Sequence, residues 1–211
     1  MIHESKITDD RHRRQVVKLH EASNVYPYLI MRFCSQCAQP VSLHIPAGDN
    51  RQRYVCDACG MIHYQNPNIV AGCIVEWEDR ILLCRRAIEP RYGLWTLPAG
   101  FMENAETTDQ AAARETMEEA RADVDITSLY ALFNIPHISQ VYMIYRASLK
   151  SLDYGPTEES LEVELFSENE MPWDKIAFPV IHETLQRYFN RRQLGDFSLQ
   201  TGVIKPAKAM K

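Results

Sequence analysis

The sequence predicts an α/β (α+β) sandwich preceded by a small cysteine-bearing module. Three observations carry this. Short apolar runs of strand character are interleaved with two helical patterns, one of those helices carries Glu115, Glu118 and Glu119 within about one turn, and four cysteines stand upstream as two C-x2-C pairs. Strand runs separated by helical patterns are how a sheet covered by helices reads in sequence.

The size and charge of the chain bound what it can be. With 211 residues, 45% hydrophobic and 24% charged, it supports one main core and one small appended module. A formal charge of -5 gives no electrostatic footprint for a phosphate backbone, so nucleic acid is not an expected partner. No apolar run reaches the roughly 18 residues of a membrane span. The opening "MIHESKITDDRHRRQ" mixes both charge signs and lacks the apolar stretch of a signal peptide. The expectation is a soluble, cytoplasmic protein with no membrane partner. Residues 1–30 read as an N-terminal extension in which "RHRRQVVKLHEA" predicts a short helix, and the change of character at "MRFCSQC" makes Met31 a candidate start.

Residues 31–66 form the small module. Cys34, Cys37, Cys56 and Cys59 fall as two C-x2-C knuckles. This is the spacing of a four-thiolate zinc site, because each knuckle turns two sulfurs to one side and two knuckles complete a tetrahedron. Two short β-like runs around Gly48-Asp49-Asn50 fit a zinc ribbon. Disulfides are the alternative, and the reducing cytosol disfavours them. Four sulfurs close the coordination sphere, which predicts a folding clamp with His44 and His63 outside it.

Residues 67–190 form the main domain, followed by a C-terminal segment, 191–211. "NIVAGCIVEW" and "RILLCRRA" around the charged turn "EDR" predict a hairpin in which Cys73 and Cys84 are core thiols. Further strands are predicted at "LWTLP", "LYALFNI", "QVYMIYRASL" and "VELF", and helices over about 106–121 and 178–190, the second from the spacing of Val180, Ile181, Leu185 and Phe189. Thr107 with Gln110 three residues on is a capping box, so the first helix should start near 107, with "LPAG" before it a turn.

On that helix Glu115 and Glu119 share a face, with Glu118 one step round. Like charges at this spacing repel. A solvated acidic face is the simple alternative, but Ala111 and Ala112 keep the face clear of bulk, while Ala113, Met117 and Ala120 form an opposite apolar stripe. Carboxylates so placed call for a hard cation such as Mg²⁺ or Mn²⁺, which recruits substrate phosphates as further ligands.

These residues resemble a family motif. Gly100, Glu106, Arg114-Glu115 and Glu118-Glu119, at their spacings, resemble the box of the Nudix hydrolases, which cleave nucleoside diphosphates linked to another group. Thr116 stands where the family has an aliphatic residue and Arg121 where it has glycine, so the family's usual helix ending is not carried over. The resemblance implies an αβα sandwich with a mixed sheet, and hydrolysis of a pyrophosphate in the presence of Mg²⁺ or Mn²⁺. It implies Glu115, Glu119 and Glu118 as metal ligands with the Ala99 carbonyl, and Arg114 and Glu106 as orienting partners. A general base outside the box is expected at Glu159 or Glu162, whose alternative reading is a charged edge strand.

The ribbon, with "CGMIHYQNPNIVAGCIVEWEDRILLCRRAIEPRYGLWTLPAG" and "LFNIPHISQVYMIYRASL", is similar to plant plastid FAD pyrophosphatases and their bacterial relatives. The Ser-Gln-Pro-Trp-Pro-Phe-Pro motif of the bacterial NADH pyrophosphatases is missing, and Pro136 keeps ADP-ribose open. The expected substrate is a dinucleotide, FAD first, giving FMN and AMP, with NADH or ADP-ribose as the alternative. Arg85, Phe101, His137 and Tyr142 are expected substrate contacts. Tyr92, Trp95, Phe133 and Tyr145 are further aromatics near the box, most of them expected in the core. A homodimer is expected. The competing class is a zinc-ribbon binding module without catalysis, which the intact carboxylates disfavour.

Overall fold

In a computed structural model the structure describes residues 31–206. The short helix expected in "RHRRQVVKLHEA" lies outside the described residues. The ribbon contains β1 (Val41–His44), β2 (Arg53–Cys56) and β3 (Ile62–His63), an antiparallel sheet in the order β1-β2-β3. Gly48, at φ 84, sits in the predicted turn between β1 and β2.

The main domain runs β4 (Asn68–Trp77), β5 (Arg80–Arg86), β6 (Trp95–Thr96), β7 (Ala99–Phe101), α1 (Thr108–Ala120), β8 (Val124–Ile135), β9 (Gln140–Leu149), β10 (Ser160–Phe166), α2 (Pro179–Arg192) and β11 (Gln200–Val203). Its sheet has the order β10-β5-β4-β9-β8-β11, with β6 beside β5 and β7 beside β4. β4 and β9 are parallel, as are β8 and β11, and the remaining pairs are antiparallel. The sheet is therefore mixed, and it takes in a strand from the 191–211 segment.

The predicted hairpin forms, with Trp77 opposite Arg80 across the turn. The stretch read as a turn, "LPAG", instead leads into β7, because Ala99 and Gly100 pair with Gly72 and Ala71 of β4. That pairing is non-local, and a local reading sees only the proline and glycine.

Helices cover both faces of the sheet. Along β4 alternate residues go to opposite sides. Ile74 joins Ile81, Leu83, Tyr130, Phe133 and Ile144 beneath Val180, Ile181, Leu185, Tyr188 and Phe189 of α2. Ala71, Cys73 and Val75 join Leu82, Cys84 and Ala147 beneath Ala111, Ala112 and Ala120 of α1. Cys73 and Cys84 are core thiols as expected, and desolvation pushes Cys73 up to about 12.

The apolar stripe predicted for α1 holds at Ala120 and, half-buried, at Ala113, but fails at Met117. Ala111 and Ala112, expected to clear space around the carboxylates, are fully buried, whereas Met117 is 45% exposed. The helix packs through its small residues, and since the spacing of packed helices follows the side chains at the contact, α1 lies close to the sheet.

Candidate active site

The box loop and α1 position the acidic groups. The Thr107 N–H donates to Gln110 Oε1 at 2.9 Å, which forms the predicted capping box. Glu115 and Glu119 then fall on the buried side of α1, at 8% and 6% exposure, and Glu118 projects outward. The Ala99 N–H donates to Glu119 Oε2 at 3.0 Å. A Cβ added at Gly100 would lie nearer than 3.0 Å to the Glu115 carboxylate, so a side chain there would push that carboxylate from its place. The helix ends at Arg121 with φ 52 and its N–H donating to the Met117 carbonyl at 2.9 Å. The left-handed ending normally given to glycine is thus kept by an arginine, at a cost of about 1 kcal/mol.

Arg114 organises the outer half of the site. Its Nε and Nη2 form a fork on Glu106 at 3.0 and 2.7 Å. Nη2 also donates to the Phe101 carbonyl at 3.1 Å, and Nη1 reaches Glu115 and Glu118 at 2.8 Å each. The Arg114 hydrogen bond, with the Glu103 N–H behind it, pulls the Glu106 carboxyl down to about 2. Burial does the opposite to the inner pair. Desolvation pushes Glu119 up to about 8, against the Ala99 N–H, with Glu115, and Glu159 adding like charge and Arg86 opposing it. Glu115 is raised mainly by desolvation, with Arg114 opposing and Glu118 and Glu159 adding like charge.

The two candidate bases have different surroundings. Glu162 is ion-paired with Arg85 Nη1 at 2.8 Å, and Arg85 Nε donates to the Gly93 carbonyl at 3.0 Å. Glu159 makes no side-chain ion pair among the described residues, and its charge acts on both inner glutamates. The separation comes from a register shift: Ser160 faces Arg86 while Glu162 faces Arg85, so two β10 steps oppose one on β5.

The expected substrate contacts are scattered. Phe101 is 54% exposed, and Val70 pairs with both Phe101 and Tyr142, placing them on one row across β7, β4 and β9. Tyr142 is half-buried, and His137 is exposed in a short 3-10 turn after β8. Trp95 and Phe133 are core residues, whereas Tyr92 is 57% exposed. Tyr145 shares a 2.6 Å hydrogen bond with Thr108. The sequence reading passed over Arg86, which is 9% exposed, donates from Nε to the Pro90 carbonyl at 2.9 Å and lies over the Phe178 ring. Its one signal in the sequence is an arginine closing the apolar run "RILLCRR".

Hard oxygen donors, crowded by like charge and partly dry, fit a divalent cation. They are not gathered as tightly as the ribbon sulfurs, since Arg114 holds Glu115 and Glu118 while Glu119 turns to Ala99.

In the ribbon, the ligand atoms of Cys34, Cys37, Cys56 and Cys59 all lie within 4.8 Å of one another. The closer Sγ pairs stand at 3.4, 3.5 and 3.7 Å. A zinc tetrahedron with bonds of about 2.3 Å has sulfur edges of about 3.8 Å, so the cluster fits zinc with little movement. The N–H of Cys59, helped by that of Ala58, lowers the Cys56 thiol to about 7 despite partial desolvation, whereas, against the Gln39 and Met61 N–H groups, the neighbouring sulfurs raise the Cys37 and Cys59 thiols. His44 is exposed, and His63 is half-buried on β3, as expected for histidines outside the sulfur cluster.

Comparison with known proteins agrees with this geometry. A family description "Nudix N-terminal", for a zinc ribbon, matches residues 32–65, and "NUDIX domain" matches residues 66–188. The ADP-ribose pyrophosphatase of Methanocaldococcus jannaschii is 30% identical over 138 residues, 63% of this chain and 78% of that protein. The NAD-capped RNA hydrolase NudC of Stutzerimonas stutzeri is 31% identical over 62% of this chain and 46% of its own length. That of Photobacterium profundum is 31% identical over 72% and 58%. The chain thus spans about half the length of the NAD-capped RNA hydrolases it matches. The crystal structure of a NUDIX hydrolase from Nitrosomonas europaea superposes with a TM-score of 0.81 at 57% identity, covering 83% of this chain and all of that one. Among the described residues no helix is long and apolar enough to cross a membrane. The carboxylate-bearing helix, the loop that passes beneath it and the sulfur cluster upstream all agree with these matches: the chain belongs to the Nudix hydrolases, as a pyrophosphatase that uses Mg²⁺ or Mn²⁺ and carries a structural zinc ribbon.

Proposed function

We propose that the protein hydrolyses the pyrophosphate of dinucleotides that contain ADP-ribose, ADP-ribose itself and NADH being the leading substrates. The observation that carries the hydrolytic reading is the inner pair, Glu115 and Glu119, buried on one side of α1 against Gly100 and the Ala99 N–H. The relatives named as an ADP-ribose pyrophosphatase and as NAD-capped RNA hydrolases support the ADP-ribose half, which is common to ADP-ribose and NAD.

In this reading Glu115, Glu119 and Glu118, with the Ala99 carbonyl, hold the divalent cation. When bound, the cation supplies Lewis acidity and neutralises phosphate charge. Arg114, fixed by its fork on Glu106, orients Glu115 and Glu118. Glu159 takes the proton of the attacking water, because its carboxylate makes no ion pair among the described residues while that of Glu162 is engaged by Arg85. Phe101, Tyr142 and His137 flank the substrate.

FAD is the second reading, resting on the resemblance to the plant enzymes and on the exposed rings of Tyr92 and Phe101. An RNA substrate is less favoured, since residues 67–190 carry ten Lys and Arg against twenty-one Asp and Glu. The test is kcat/KM for ADP-ribose, NADH, FAD and an NAD-capped RNA at one Mg²⁺ concentration. ADP-ribose or NADH is expected to lead FAD by at least about tenfold, a transition-state preference of about 1.4 kcal/mol. A tenfold lead for FAD or the capped RNA overturns the assignment.

A further inference from the structure

The loop 87–94 between β5 and β6 is held more firmly than a connection of this length requires. The Arg86 N–H donates to the Leu94 carbonyl and the Gly93 N–H to the Arg86 carbonyl, both at 2.9 Å. Inside the loop the Leu94 N–H donates to the Arg91 carbonyl at 3.2 Å. Arg86 Nε holds the Pro90 carbonyl at 2.9 Å, and Arg85 Nε holds that of Gly93 at 3.0 Å. Arg85 is in turn fixed by Glu162.

This anchoring holds an unfavourable backbone. Arg91 takes φ 71, beside Gly93 at φ 77. A side-chain-bearing residue there is strained and persists where its surroundings over-determine it. The anchors grip backbone carbonyls of the loop and leave out the side chains of Arg91 and Tyr92, both of which are exposed. The loop also lies beside the start of β10 and the proposed base: the Ala87 N–H donates to the Glu159 carbonyl at 2.8 Å, and Ser160 pairs with Arg86 at its root.

We propose that the loop 87–94 is a preformed wall of the substrate site, with Tyr92 and Arg91 binding the half of the dinucleotide beyond the scissile pyrophosphate. Tyr92 offers a ring face to a flat heterocycle and Arg91 a cation to phosphate or ribose oxygens. Arg85 and Glu162, expected from the sequence as a substrate contact and a base, are positioning residues that act through this wall, as is Arg86. The inference rests on the hydrolytic reading above and assigns the specificity of that same site.

The test is a double-mutant cycle on NADH hydrolysis, because the nicotinamide half carries the ring that the ribose phosphate of ADP-ribose lacks. Tyr92→Ala is expected to raise KM about tenfold more than it lowers kcat, with Tyr92→Phe restoring it. Arg85→Ala and Glu162→Gln should raise KM in the same direction, and in the Tyr92→Ala background they should add little, because they act through the same contact. Arg85→Lys should not rescue, since an ammonium does not reproduce the guanidinium fork that grips Gly93 and Glu162 together. Glu162→Gln changes one surface group, so it reports even where Arg85→Ala fails to fold. An unchanged KM in Tyr92→Ala, or full additivity in the cycle, overturns the proposal. Should the wild type cleave no member of the panel, the hydrolytic reading falls separately. The wall is then decided by calorimetric binding of NADH in Ca²⁺: tenfold weaker binding by Tyr92→Ala sustains it, and equal or absent binding overturns it.

Discussion

Replacing Glu119 by glutamine is expected to lower kcat by at least about 10²-fold on the best dinucleotide substrate and to leave the fold intact. In metalloproteins the loss of a group that merely orients a ligand already costs about 10–100-fold, and Glu119 is proposed as a ligand itself. The fold should survive because a glutamine carbonyl still accepts from the Ala99 N–H, and because a neutral amide is easier to bury than a carboxylate at 6% exposure. Glu115→Gln should behave alike, although it also loosens Arg114, which holds Glu115 at 2.8 Å. The checks are kcat and Mn²⁺ affinity by calorimetry, with thermal unfolding as the control. Wild-type turnover in either variant, with Mn²⁺ affinity unchanged, would remove these two residues from the metal site.

Loss of zinc is expected to unfold the ribbon and spare the domain behind it. The buried apolar residues of the ribbon are Cys34, Pro46, Val55 and Cys56, too few to hold three short strands together. Structural zinc in small modules contributes about 10–16 kcal/mol at neutral pH. Protein prepared without added metal should therefore contain about one zinc per chain. Cys56→Ser should abolish hydrogen-exchange protection in β1 and β2 while that of β4, β8 and β9 persists. Absence of zinc from the purified protein, together with unchanged protection in Cys56→Ser, would exclude the clamp.

What the sequence revealed was what local spacing encodes. The C-x2-C knuckles, the capping box at Thr107 and the four-residue spacing of Glu115 and Glu119 are each decided within a turn of chain, and each appears in the structure. What it hid was set by partners far along the chain. "LPAG" became β7 because β4 pairs with it. The unequal positions of Glu159 and Glu162 follow from a shift in the β10–β5 register that no local window contains. For α1, the largest apolar side chain, Met117, suggested the wrong packing face, because the neighbouring sheet residues Ala71, Cys73 and Ala147 are small and take alanines against them.

The squeeze on β7 bears on how such an enzyme can vary. A Cβ at Gly72 would strike Pro98 and Ala99, and one at Gly100 would strike Glu115, so at β7 only bare main chain meets the Glu115 carboxylate. At that point the gap is set by a peptide unit, while elsewhere the alanines of α1 and the small residues of the sheet set it. Descendants of this chain can enlarge or shrink their cores elsewhere without moving Glu115 relative to β4, while the loops around the site remain free to change which dinucleotide is admitted. The reacting centre and the selectivity of the enzyme are in that sense inherited separately.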